Sequence, residues 1–96
     1  MKIDFTKNDG KLEVKLDGRL DTSTAPKFDE FLTKNIMGVD VLEIDCENVV
    51  YISSAGLRVL LVAHKKMKGA MKLKNVQELV MEVFEITGFA DILDIE

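Results

Sequence analysis

The first twenty residues alternate between apolar and polar side chains. Residues 3–5 and 12–16 each place an apolar side chain at every second position. A period of two is typical of a β-strand with one buried face. Asp9-Gly10, between the two runs, supplies the residues with positive φ that a tight hairpin turn requires. The pattern predicts two antiparallel strands with one solvated sheet face, after which the chain leaves the sheet over Asp17–Asp21.

Three later segments have the apolar spacing of helices. The first follows Thr22–Pro26, where hydroxyls can accept hydrogen bonds from free helix N–H groups and a proline suits the first turn, and it ends by Gly38. The second covers Leu57–Met67 and leads into lysines, which a helix dipole favours at that end. The third is predicted to begin at Asn75, with Glu78 three residues later, and to end at Gly88.

Two further strands are predicted between these helices. Val39–Cys46 is rich in Val, Leu and Ile, which indicates a central strand, and Met71–Lys74 alternates again. Phe89–Glu96 is expected to add a last helical turn. The order β-β-α-β-α-β-α requires parallel crossovers after the hairpin, so we expect an α/β fold with a mixed sheet faced by helices. A length of 96 residues predicts one domain over 1–96.

Composition narrows the classes of partner. The formal net charge of -4 argues against nonspecific binding to nucleic acid or to an anionic membrane, both of which need a basic surface. The lysines between Lys65 and Lys74 are interpreted as a solvated helix end and strand face. No apolar run approaches the roughly 18 residues of a membrane span, and Met1–Asp4 lacks the apolar stretch of a signal peptide. We expect a cytoplasmic protein without a cofactor.

Few residues have the chemistry of catalysis or metal binding. One cysteine, Cys46, and one histidine, His64, cannot form a disulfide framework or a zinc site. Cys46 is expected to be a buried, reduced strand residue and His64 a packed or helix-flanking residue. Ser54 and His64 would lie roughly 15 Å apart on one helix, too far to act as nucleophile and base. No phosphate-binding or nucleophile motif occurs, so we expect no enzyme.

Ser53-Ser54-Ala55-Gly56-Leu57 is the most informative segment for function. Two hydroxyls and a glycine stand where a strand and its loop give way to a buried helix. A serine at this position can cap the helix, which contributes about 1 kcal/mol. Capping alone accounts for such a sequence, so a functional role needs further support.

That support comes from resemblance to a family. Three pairs of segments resemble, in their order and spacing, the STAS domain of small bacterial anti-sigma-factor antagonists. They are Gly18-Arg19-Leu20-Asp21 before Thr24-Ala25-Pro26, Val41–Asp45 before Val50–Leu57, and Leu73–Val76 with Ile86–Phe89. The resemblance covers nearly the whole chain. It implies a STAS-like mixed sheet with helices packed mainly on one face.

The resemblance also implies a phosphorylation site. In that family the loop commonly reads Asp-Ser-Ser-Gly or Asp-Ser-Ala-Gly, and the serine after the aspartate is phosphorylated by a partner that is both serine kinase and anti-sigma factor. Alignment on Gly56 puts the acceptor at Ser54. Ser53 replaces the usual acidic residue and is a second candidate acceptor. Asp21 corresponds to an acidic residue near this loop.

The resemblance implies partner switching without catalysis. The protein would bind a serine-kinase-type anti-sigma factor when Ser54 is free, release it when Ser54 is phosphorylated, and be reset by a serine phosphatase. The alternative function is that of a constitutive STAS scaffold, in which Ser53 and Ser54 only cap the helix. A third possible function is that of a nucleotide-binding or hydrolysing domain. The docking surface is expected to comprise Asp21, Thr22, Ser23, Thr24, Ser53, Ser54, Ala55, Gly56 and Arg58.

Overall fold

A computed structural model describes all residues from 1 to 96. Five strands and three α-helices alternate after an initial hairpin, with one short 3-10 helix near the end. In chain order they are β1 (Lys2–Asn8), β2 (Lys11–Leu20), α1 (Ala25–Asn35), β3 (Val41–Ile52), α2 (Ser54–Lys66), β4 (Met71–Lys74), α3 (Glu78–Thr87), the 3-10 helix (Phe89–Asp91) and β5 (Asp94–Ile95).

The five strands form one mixed sheet in the order β1-β2-β3-β4-β5. β1 and β2 pair antiparallel, whereas β2, β3, β4 and β5 pair parallel with their neighbours. The turn residues Asp9 and Gly10 have φ of 50° and 80°. The predicted hairpin, its positive-φ turn and the parallel crossovers are therefore confirmed.

The two faces of the sheet differ sharply in polarity. Alternate residues of β2, β3 and β4 face the helices and form half of a core whose members include Leu12, Leu42, Ile44 and Leu73 at 0% exposure. The residues between them carry charge on the open face, where Glu43 lies between Lys11 at 3.1 Å and Lys74 at 3.4 Å. The predicted arrangement, one buried and one solvated face, is confirmed.

The sheet extends further than the sequence pattern indicated. β2 continues to Leu20 rather than leaving the sheet at Asp17, because irregular pairing around Gly18 lets it follow β3. β3 runs past Cys46 to Ile52. The expected last helical turn is only the 3-10 helix, after which β5 joins the sheet beside β4.

Two helix starts also differ from prediction. α2 begins at Ser54 rather than Leu57. α3 begins at Glu78 after Gln77, and Asn75 does not cap it: Asn75 has φ of 56° and its side chain donates to Asp45 Oδ1 at 3.2 Å.

No helix combines the length and apolar character of a membrane-spanning segment.

Candidate functional site

The two serines at the start of α2 have different environments. Ser53 is the N-cap residue: it has extended backbone (φ -102°, ψ 174°), is half-buried, and its hydroxyl oxygen accepts a hydrogen bond from Gly56 N–H at 3.4 Å. Ser54 is the first helical residue, and its side chain is exposed. The capping role that the sequence left open between them therefore belongs to Ser53.

Gly56 brings the start of α2 unusually close to the sheet. A Cβ atom at this position would lie 2.8 Å from Leu20 O, 2.8 Å from Leu20 Cγ and 3.0 Å from Ile52 Cγ1. Ser53 N–H also donates to Leu20 O, at 2.9 Å. The missing side chain thus lets the end of β2 lie directly beside the Ser53–Ser54 turn.

Asp21 follows Leu20 and organises the loop that leads into α1. Its Oδ1 accepts hydrogen bonds from Ser23 N–H at 3.0 Å, the Ser23 hydroxyl at 2.8 Å and Thr24 N–H at 3.1 Å. These bonds, the Ser23 hydroxyl first, lower the pKa of Asp21 from 3.8 to about 2, so its carboxylate is ionised at neutral pH.

The predicted hydroxyl caps of α1 are wrong. Thr24 makes no side-chain capping bond to the helix. Its hydroxyl instead donates to Arg19 O at 2.7 Å and accepts from Asp21 N–H at 2.9 Å. The first N–H groups of α1 are instead satisfied by backbone oxygens: Ala25 N–H donates to Asp21 O, and Lys27 and Phe28 N–H donate to Thr24 O.

Arg19 and Tyr51 extend this charged loop across the sheet. They are paired neighbours on β2 and β3, and the Arg19 guanidinium lies 4.1 Å from the centre of the Tyr51 ring. Arg19 Nε also lies 3.5 Å from Asp21 Oδ2. The sequence pattern does not predict Arg19 or Tyr51 as part of the candidate docking surface, because the contact between them exists only once β2 and β3 pair.

An open groove between the starts of α1 and α2 contains Ser54. Asp29 of α1 and Arg58 of α2 provide opposite charges within it, and Arg58 lies one turn after Ser54 on the same helix. The residues that line the groove are Thr22, Ala25, Pro26, Asp29, Ser54, Ala55, Arg58 and Val59. The sequence analysis did not predict Pro26 and Asp29 as part of this groove. Their spacing of three residues puts both on the same side of α1, which is the signal that could have identified them.

The structure brings the sequence-predicted surface residues together at one end of the sheet. Ser53 and Gly56 contact the end of β2, and Thr22, Ser54, Ala55 and Arg58 share the groove. Gly56 itself is buried, so it shapes this surface from beneath and does not present a side chain.

The other candidate residues lie elsewhere. Cys46 is buried in β3, as expected, and burial, with a smaller effect of Asp45, raises the pKa of its thiol to about 12. His64 is half-buried near the end of α2. No three His, Cys, Asp or Glu side chains are grouped to hold a metal ion.

Comparison with known proteins places this architecture in a family. The family model for the STAS domain matches residues 2–96. The Anti-sigma-B factor antagonist of Bacillus subtilis (strain 168) is 34% identical, over 99% of this chain and 90% of that protein. The match therefore covers nearly all of both sequences.

Solved structures show the same fold. A crystal structure of an anti-sigma factor antagonist from Mycobacterium paratuberculosis superposes with a TM-score of 0.86 at 19% identity, over 98% of this chain and 83% of that one. The Bacillus protein SpoIIAA in its phosphorylated form superposes with a TM-score of 0.75 at 15% identity, over 99% and 91%. With a family model that covers residues 2–96 and a five-stranded mixed sheet of the same fold, this chain belongs to the STAS domain family.

Proposed function

We propose that this protein is an anti-sigma-factor antagonist that acts by partner switching through Ser54. The observation that carries the proposal is the exposed Ser54 hydroxyl at the first position of α2, in a groove beside the Asp21 loop. The name of the Bacillus subtilis relative, an anti-sigma-B factor antagonist, supports this general role. The role is regulatory and needs no catalytic group on this chain.

Ser54 is favoured over Ser53 as the phosphate acceptor. Transfer of a phosphoryl group needs a hydroxyl that can enter the active site of a kinase, and Ser54 is exposed where Ser53 is half-buried. The Ser53 hydroxyl is also already engaged within the protein, because its oxygen accepts the hydrogen bond from Gly56 N–H. A structure of SpoIIAA, which shares this fold, has been solved in a phosphorylated form, so such a modification is compatible with the architecture.

A phosphate on Ser54 would act on binding more than on folding. It adds about -1.5 to -2 charges at the N-terminus of a helix, where free N–H groups and the dipole favour an anion. α2 has no acidic residue in its first turn, so the new charge meets no repulsion from its own helix there. A partner seated on the groove would instead enclose this charge in a groove that also contains the Asp29 carboxylate, which is costly.

The partner is proposed to be a serine-kinase-type anti-sigma factor, and a serine phosphatase would restore the free hydroxyl. Docking is proposed to use the Asp21–Thr24 loop, the Ser53–Gly56 turn and Arg58. Arg58 has no salt bridge within the chain and lines the groove, so it is free to pair with an acidic group of the partner.

Intact-mass measurement after incubation with the cognate kinase and ATP tests the acceptor. The wild type and Ser53→Ala are each expected to gain one phosphate, and Ser54→Ala none. Ser53→Ala is the matched control, because it removes the neighbouring hydroxyl and leaves Ser54 exposed. A phosphate retained in Ser54→Ala but lost in Ser53→Ala would move the acceptor to Ser53 and refute the assignment.

A further inference from the structure

The negative charge of this chain is concentrated at its C-terminal end. Every lysine and arginine lies within residues 1–74, whereas residues 75–96 carry six acidic side chains and no basic one. Three of the acidic residues, Glu78, Glu82 and Glu85, lie on α3 and are exposed. Their spacing of four and three places them in a row along one side of the helix.

Beside this acidic row, α3 exposes an apolar stripe. Leu79 and Ile86 are 69% and 85% exposed, and half-buried Val83 lies between them. The spacing i, i+4, i+7 puts the three on one line along the helix. The packing of α3 on the sheet does not require Leu79 and Ile86, because Val80 and Phe84 are the residues that it buries, whereas Val83 packs partly against the same core.

Apolar side chains at this spacing form the seam through which two amphipathic helices pack against each other. Single exposed apolar residues are common on the surface of a monomer, whereas neighbouring ones that form a patch are less common. Such patches mark interaction sites, and Leu79 and Ile86 are neighbours of this kind on one helix. The acidic row limits the partner, since an anionic membrane would be repelled. A second copy docked through the same helix would bring two acidic rows close together.

We propose that Leu79, Val83 and Ile86, with the acidic row beside them, bind an amphipathic helix of a partner protein that carries Lys or Arg next to its apolar residues. None of the residues that line the Ser54 groove belongs to α3. This second surface is therefore available whether or not Ser54 is modified, and the protein can hold one partner on α3 while it exchanges another at Ser54.

The test uses a fluorescein-labelled 14-residue peptide of leucine and lysine with leucines at i, i+4, i+7 spacing, titrated against the full chain by fluorescence anisotropy. Amide NMR shifts induced by the unlabelled peptide are expected to map to α3. Leu79→Ser/Ile86→Ser is expected to weaken binding at least 10-fold. Met37→Ser is the matched control, because Met37 is as exposed as Ile86 and lies outside α3, and it should bind within twofold of wild type.

Further variants measure the electrostatic contribution of the acidic row and the independence of the two surfaces. Glu82→Gln/Glu85→Gln should weaken binding several-fold at low salt and reduce its salt dependence. Ser54→Glu should leave peptide binding unchanged, even if the proposed switch at Ser54 proves wrong. Shifts outside α3, no binding, or a double serine variant that binds like wild type would overturn the proposal. So would a dimer by sedimentation that Leu79→Ser/Ile86→Ser dissociates, because the occupant would then be a second copy.

Discussion

At the scale of single residues, Asp21 organises the loop between β2 and α1 at the candidate surface. Its carboxylate accepts three close hydrogen bonds from Ser23 and Thr24 and lies beside the Arg19 guanidinium. Arg19 in turn stacks on Tyr51 of β3. One charged group thereby fixes the loop that leads from the sheet into α1, and a neutral residue at position 21 would loosen it.

Asp21→Asn is expected to lower stability in a pH-dependent way. The folded state depresses the pKa of this carboxyl from 3.8 to about 2, so its stabilisation is present above about pH 4 and is lost as pH falls from about 4 to 2. Urea unfolding from pH 2 to 7 should show a constant difference between wild type and variant above pH 4 that shrinks below it.

Asp29→Asn is the control for that series, since Asp29 is an exposed aspartate of α1 whose carboxylate accepts no hydrogen bond from the chain. At pH 7 it should differ from wild type by only a small amount, because Asp29 is on the surface and no hydrogen bond to its carboxylate is lost. A difference for Asp21→Asn that grows toward pH 2 would contradict the assigned role of the carboxylate.

At the scale of elements, the start of α2 is fixed by its close approach to β2 and β3. Ser53 caps the helix and donates its N–H to Leu20, while Gly56 lies against Leu20 and Ile52. Gly56 has no positive φ, so a close contact and not backbone conformation requires glycine there.

Gly56→Ala is expected to destabilise the protein by about 1–2 kcal/mol. Alanine in a helix interior would otherwise be favoured by about 1 kcal/mol, but the new methyl group meets a backbone oxygen that cannot move without shifting β2. Chemical denaturation measures the change, with Ser54→Ala as a neighbouring exposed control that should stay within about 0.5 kcal/mol of wild type. A more stable Gly56→Ala variant would show that the contact relaxes freely.

At the scale of the whole molecule, the fold places its helices, its charged sheet face and the groove that contains Ser54 at different positions. The helices cover one face of the sheet, the open face carries paired charges, and Ser54 lies at the end of β3 where α1 and α2 begin. Because Ser54 is exposed at a helix N-terminus, added negative charge has little to disturb inside the protein. Its effect is directed outward, to whatever contacts the groove.

Ser54→Glu tests this separation of folding from binding. The thermal midpoint is expected to stay equal or rise slightly, because an anion in the first turn of a helix contributes about 0.3–1 kcal/mol. Affinity for the proposed anti-sigma factor, measured by calorimetry, is expected to fall at least 100-fold, about 2.7 kcal/mol. Ser54→Gln, similar in size but uncharged, should keep most of the affinity. Unchanged affinity in Ser54→Glu would instead support a constitutive scaffold.

Local sequence was sufficient to predict most elements and the position of the candidate serine. Strict alternation predicts half-buried strands, Asp9-Gly10 supplies the positive φ of the hairpin, and helical apolar spacing predicts three helices. Each of these features depends on residues close together in the chain. The order of elements and the motif around Ser54 then sufficed to indicate the family.

Tertiary structure decided what depends on distant residues. The extensions of β2 and β3 and the addition of β5 result from pairing between strands, which their own residue patterns do not show. The choice of Ser53 as cap, the carboxylate of Asp21 as acceptor for the next loop, and the need for glycine at position 56 follow from contacts made in the folded chain. Only the assembled fold determines which of two adjacent hydroxyls is hydrogen-bonded within the protein and which is exposed at its surface.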